Sequence, residues 1–187
     1  MPRACVLLAP GFEEIEAVTV IDVLRRAEVD TAVVAVCQPT PDGTAPATSV
    51  EGSHGISVSA DVAIDRAEGP WDAIVLPGGM PGSAHLRDDE RVRDLLRRQH
   101  AEGKICAAIC AAPIALAAAG VLTGRTATSY PAFRAELGCS YSEEAVVVDG
   151  NVITSRGPAT SLAFALTLVA RLCGDATASG LAARMLA

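Results

Sequence analysis

Short apolar runs along the chain alternate with stretches whose apolar residues recur at helical spacing. Ala4 to Ala9 reads as a strand, Glu14 to Ala27 as a helix, and Thr31 to Cys37 as a second strand. Pro39 to Gly43 breaks the pattern, and Thr44 to Gly55 reads as a surface loop before a short strand near Ile56 to Ser59. A third clear strand, Asp72 to Leu76, halts at Pro77, Gly78 and Gly79. Asp89 to Glu102 is a polar amphipathic helix, Lys104 to Ile109 a buried strand, and Pro113 to Ala119 another helix. Ala145 to Val148 and Val152 to Ser155 flank Asp149, Gly150 and Asn151, a hairpin signal in an otherwise parallel scheme. Ser161 to Cys173 and Thr177 to Leu186 close the chain as helices, with Pro158 suited to an opening turn. Repeated β-α-β units predict an α/β fold, with a mostly parallel sheet and helices on both faces. In such folds chemistry gathers where strands end and helices begin.

Composition narrows this picture. The 187 residues, 50% of them apolar, suit a single domain spanning 1–187 with one sizeable core. Fifteen basic residues against 22 acidic ones give a formal charge of -7, so no general attraction to nucleic-acid phosphates is expected. No run reaches the roughly 18 apolar residues of a membrane span. The charged, then apolar start mimics a signal peptide, but Glu13, Glu14 and Glu16 interrupt it, so a first core strand is expected. Six scattered cysteines in a chain with this much core point to free thiols in a reducing cytoplasm. Cys106 and Cys110 lack the spacing and clustered histidines of a zinc site, so neither a metal nor another cofactor is expected.

The strongest chemical signal lies between Lys104 and Pro113, where a buried strand ends at Cys110 and small residues precede a helix. This is a thiol counterpart of the nucleophile elbow, in which a sharp strand-to-helix turn presents one side chain. Amides of the following helix are expected to favour the thiolate and lower the Cys110 pKa. Cys106 lies inside the strand and reads as core. Glu16 shares a helix stripe with Phe12, Thr19, Val20 and Val23, so burial should raise its pKa and suit it to moving protons near neutrality. Glu14 faces Val18 and Arg25 and is expected to reach solvent more easily. Gly78 and Gly79 end a strand in a turn whose amides can approach a ligand, as an oxyanion hole requires. Arg156 follows a strand and can meet an anionic group or form a surface ion pair. His54, His85 and His100 sit in polar stretches and read as surface residues.

Four segments together carry a resemblance: Gly11 to Val18, Leu76 to Gly79, Ala107 to Pro113 and Thr154 to Pro158. In this order they resemble the ThiJ/PfpI superfamily (class I glutamine amidotransferase-like), and within it the parkinsonism-associated deglycase branch. The likeness covers nearly the whole chain. It implies a flavodoxin-like three-layer sandwich and a homodimer. It places Cys110 as nucleophile, Glu16 as the carboxylic acid bonded to its sulfur, and the Gly79 and Ala111 amides at an anion site. Gly78, Tyr130 and Arg156 fall at pocket positions. Two departures stand out: Tyr130 replaces a histidine common in the deglycase branch, and His54 falls near an arginine of the animal proteins. Ala111 occupies the place of the histidine that follows the nucleophile in the protease-like branch, which argues against a Cys-His peptidase.

The chemistry so implied is glutathione-independent conversion of methylglyoxal or glyoxal, or deglycation of their early adducts on proteins, within carbonyl and oxidative stress. The alternative is a redox-sensing or chaperone-like stress protein whose cysteine is oxidised to sulfinic acid without turnover. Amidotransferase-like hydrolysis is the weakest reading, because it lacks an evident catalytic histidine.

Overall fold

The first apolar run becomes β1 (Arg3–Leu8), whose residues beyond Arg3 are all buried. A parallel sheet covered on both faces imposes that continuous apolar pattern. The structure, a computed structural model, describes residues 1–37 and 48–187. After β1 come α1 (Glu14–Arg26), β2 (Asp30–Ala35), β3 (Ser49–Glu51), β4 (Ser57–Ser59) and β5 (Val62–Ala63). The middle of the chain supplies β6 (Ala73–Leu76), α2 (Gly82–Asp88), α3 (Glu90–Ala101), β7 (Ile105–Ile109) and α4 (Pro113–Ala118). Then follow β8 (Thr126–Ala127), β9 (Ser140–Tyr141), β10 (Val146–Asp149), β11 (Val152–Ser155), α5 (Ser161–Cys173) and α6 (Asp175–Met185). Seven strands form one sheet in the order β10-β11-β7-β6-β1-β2-β5. Every pair is parallel except the β10–β11 hairpin at one edge.

Alternation along β1 divides the core into two layers. Ala4, Val6 and Leu8 pack with Phe12, Val20 and Leu24 on one face, where Phe164 and Leu168 of α5 join them. Cys5, Leu7 and Ala9 point to the other face, against Leu86, Val92, Leu96, Ile114 and Leu116. The result is a three-layer α/β sandwich, with α1 and α5 on one side and α2, α3 and α4 on the other. Each fully buried leucine or phenylalanine contributes about 1.5–3 kcal/mol.

Several local expectations need correction. Part of the expected Thr44–Gly55 loop is strand: β3 pairs antiparallel with β4 through Val50 and Val58. One buried valine between exposed Ser49 and Glu51 is too short a pattern to register as a strand. The expected break at Pro39 to Gly43 lies outside the described residues. Helix α2 was unexpected because Pro81 and Gly82 at its start read as turn residues. Asp89 caps α3, its side chain accepting from the Arg91 amide at 2.9 Å. Glu14 is buried, contrary to its expected path to solvent. The β3–β4 hairpin lies over the start of α1, with Gly11 N–H donating to Glu51 O and Ser53 N–H to Phe12 O, both at 2.8 Å.

Candidate active site

Strand β7 delivers Cys110 at its carboxyl end, and the chain turns there with a φ of 63°. A left-handed backbone is uncommon for any residue with a side chain and costs roughly 1–2 kcal/mol. Two hydrogen bonds hold it: Cys110 N–H donates to Ser155 O at 3.0 Å, and Tyr130 N–H donates to Cys110 O at 2.8 Å. Ala111 and Ala112 are buried, and Pro113 opens α4. The turn leaves the Cys110 side chain half-buried rather than inside the sheet.

Glu16, in the first turn of α1, is fully buried. Its Oε2 accepts from the Gly78 amide at 2.7 Å, while Oε1 has no hydrogen-bond partner among the described residues. Gly78 explains how the two side chains meet. A methyl group added there would lie 2.6 Å from both Cys110 Cβ and Glu16 Oε2. Only a residue without a side chain fits between them. Gly79, at φ 88°, packs against the backbone of Gly11 to Glu13, another place that a Cβ would fill.

Burial pushes the Glu16 carboxyl up to about 7; the Gly78 amide and the Cys110 thiol oppose this, and the Glu13 charge adds to it. Cys110 departs from expectation. Burial and then the Glu16 charge push its thiol up to about 12, although the Ala111 and Gly79 amides favour the thiolate. The amides are present, but desolvation and a neighbouring carboxylate outweigh them. Both groups of the pair are thus held toward their protonated forms.

The sequence-selected residues divide into two groups. Cys110, Glu16, Gly78, Gly79 and Ala111 converge on one point. Tyr130 stands at the rim, 48% exposed, with its ring near Gly157. Arg156 donates through Nη1 to Glu143 O at 3.0 Å. No described histidine bonds to Cys110: His85 contacts Pro10 O, and His100 contacts Asn151. His54 is exposed but engages the buried Glu14 carboxylate through Nδ1 at 2.9 Å. That pairing joins residues 40 positions apart, so no local spacing announced it. Burial alone would raise the Glu14 carboxyl, yet bonds from the His54 side chain and from the His54 and Ile56 amides hold it down at about 2.

Comparison with known proteins agrees with this architecture. Residues 2–171 match the DJ-1/PfpI family. The zebrafish (Danio rerio) Parkinson disease protein 7 homolog is 39% identical over 183 residues, covering 95% of this chain and 93% of that protein. A protein of Pyrococcus horikoshii named as a deglycase is 39% identical over 120 residues, 62% of this chain and 72% of its own. The structure of oxidized DJ-1 from Toxoplasma gondii superposes with a TM-score of 0.92 at 36% identity, covering 100% of this chain and 98% of that one. A family match over most of the chain, sustained in sequence and in fold, makes this protein a member of the DJ-1/PfpI family.

Proposed function

We propose that the chain is a cysteine-dependent glyoxalase of the glutathione-independent type, acting on methylglyoxal, glyoxal or their early protein adducts. One observation carries this reading: Cys110, the Glu16 carboxyl and the Gly79 and Ala111 amides meet around Gly78. As the Cys110 sulfur bonds to the aldehyde carbon, its proton passes to Glu16, and the carbonyl oxygen becomes an oxyanion facing the two amides. That oxyanion takes the proton back, giving a hemithioacetal. Glu16 then removes the hydrogen on that carbon and delivers it to the adjacent carbonyl carbon, while the hydroxyl proton passes from the first oxygen to the second, leaving a 2-hydroxyacyl thioester. Water cleaves the thioester to lactate or glycolate and restores the thiol. No external oxidant or reductant is needed, since one carbon is oxidised as its neighbour is reduced. On an early hemiaminal or hemithioacetal adduct, the Cys110 sulfur displaces the protein amine or thiol, which leaves with the proton that Glu16 took from the thiol, and the resulting Cys110 hemithioacetal goes on as above.

A thiol of raised pKa suits this scheme, because the base that accepts its proton is already in contact. The reading includes a homodimer, supported by the exposed apolar side chains of Ile15 and Val18 of α1 and of Ile56 beside β4. It also includes a cytoplasmic location, supported by six free cysteines. No described helix is long and apolar enough to cross a membrane.

The test is lactate formation from methylglyoxal without glutathione. Many turnovers per chain are expected from wild type and none from Cys110→Ser. Equal lactate from both chains would overturn the assignment of Cys110, and none from either would overturn the reading itself.

A further inference from the structure

The tetrahedral carbon formed on Cys110 carries four substituents, and the chemistry above places three of them. One is the sulfur; the oxygen faces the Gly79 and Ala111 amides, and the hydrogen faces Glu16. The fourth bears the rest of the substrate and must leave by the open side of the half-buried thiol. The Gly78 side is closed, since a methyl group there would already lie 2.6 Å from both Cys110 Cβ and Glu16 Oε2. What borders the open side therefore decides which substituents the thiol accepts, an inference that rests on reading Cys110 as a nucleophile toward aldehydes.

Two exposed apolar residues belong to the segments that build this site. Met80 follows Gly79, whose amide serves the Cys110 sulfur, and is 47% exposed. Tyr130 is tied to the elbow itself, its N–H donating to Cys110 O at 2.8 Å, and it is 48% exposed. Its ring lies beside Gly157, which brings no side chain to cover it; a methyl group added there would come within 3.6 Å of Cδ2. Among the described residues, the other exposed large apolar side chains lie at the chain ends, on the edge strand β10, or among those read above as supporting the homodimer. Left in water, a ring and a thioether forgo the stabilisation that burial would bring. A second aromatic ring would supply it, because tyrosine takes offset or edge-to-face partners and the flexible methionine sulfur adapts to ring edges.

We propose that Tyr130 and Met80 form an apolar rim that makes Cys110 selective for 2-oxoaldehydes bearing an aromatic substituent, of which phenylglyoxal is the simplest. Methylglyoxal ends in a single methyl group and offers the rim far less apolar area. The bond changes are those of the smaller aldehyde. The aldehyde carbon is oxidised, the neighbouring ketone carbon is reduced, and water releases mandelate with the thiol restored. Tyr130 and Met80 determine specificity and move no proton.

The experiment compares mandelate formation from phenylglyoxal with lactate formation from methylglyoxal, without glutathione, in wild type, Tyr130→Ala, Tyr130→Phe and Met80→Ala, each checked for native circular dichroism. Comparing the ratio of the two kcat/KM values between variants cancels the intrinsic reactivity of each aldehyde. That ratio should fall about tenfold in Tyr130→Ala and about threefold in Met80→Ala, and hold at the wild-type value in Tyr130→Phe, which keeps the ring. A second readout needs no turnover: alkylation of Cys110 by 2-iodo-N-phenylacetamide relative to iodoacetamide, referenced to free cysteine and followed by mass spectrometry of the Cys110 peptide. There the sulfur displaces iodide and the thiol proton passes to solvent. Wild type should favour the aryl reagent, and the variants should lose that preference in the same order. Unchanged ratios in both Tyr130→Ala and Met80→Ala, or an equal fall in Tyr130→Phe and Tyr130→Ala, would overturn the rim. An aryl preference in alkylation with turnover of neither aldehyde would support the rim and overturn the glyoxalase reading.

Discussion

Gly78→Ala tests the site geometry directly. The added Cβ would sit 2.6 Å from Cys110 Cβ, 2.6 Å from Glu16 Oε2 and 2.9 Å from Ile109 O. Carbon atoms in contact prefer about 3.5–4.0 Å, so Cys110 and Glu16 must separate by on the order of 1 Å. One obstacle is the backbone oxygen of a buried central strand, which cannot rotate away as a side chain would. Overpacking of this kind costs about 1–3 kcal/mol, and weakening the Gly78–Glu16 bond adds to it. Misplacement of reacting groups by about 1 Å slows chemistry on the order of 100-fold. Urea unfolding should therefore show a loss of about 2 kcal/mol or more, and lactate formation should fall roughly 100-fold with little change in KM. A variant with wild-type stability and turnover would refute the claim that Gly78 is the point of closest approach.

Glu16→Gln should remove a pH dependence of stability. Burial raises the carboxyl from 4.5 to about 7, so the folded state holds its proton more tightly. The stabilisation is complete below about 4.5 and is lost as pH rises through 7, on the order of 3 kcal/mol in all. Urea midpoints measured from pH 5 to 8 should fall in wild type more steeply than in the variant; parallel profiles would count against a buried carboxyl. Cys110→Gly should be more stable than Cys110→Ala by about 1 kcal/mol, because only glycine adopts the left-handed turn without strain. Equal unfolding midpoints for those two variants would show the turn to be unstrained. Cys106→Ser should leave turnover unchanged, since that thiol is buried within β7 and bonds to Leu96 O at 3.7 Å; a large loss would move the reactive centre.

Much of the fold was legible in the chain because covered parallel strands write themselves as unbroken apolar runs. Ala4 to Leu8, Ala73 to Leu76 and Cys106 to Ile109 are such runs, and turn residues bound them. The hairpin at Gly150 was equally plain, since local backbone chemistry decides it. Cys110 and Glu16 stood out for local reasons too, one at a strand-to-helix junction and the other on an apolar helix stripe. Their encounter was not local. It depends on β6 and β7 lying side by side, so that Gly78 sits between α1 and the end of β7.

Tertiary structure also reversed two expectations. The Cys110 thiol is raised because desolvation and the Glu16 charge act together, and neither can be read from the residues flanking the cysteine. Glu14 is buried because a short hairpin, itself hidden by a pattern of one valine, folds over it and supplies donors from His54 and Ile56. Periodicity along the sequence determined which residues turn inward within each element. Charge, proton affinity and access depend on distances between elements, and those are set only when the layers pack.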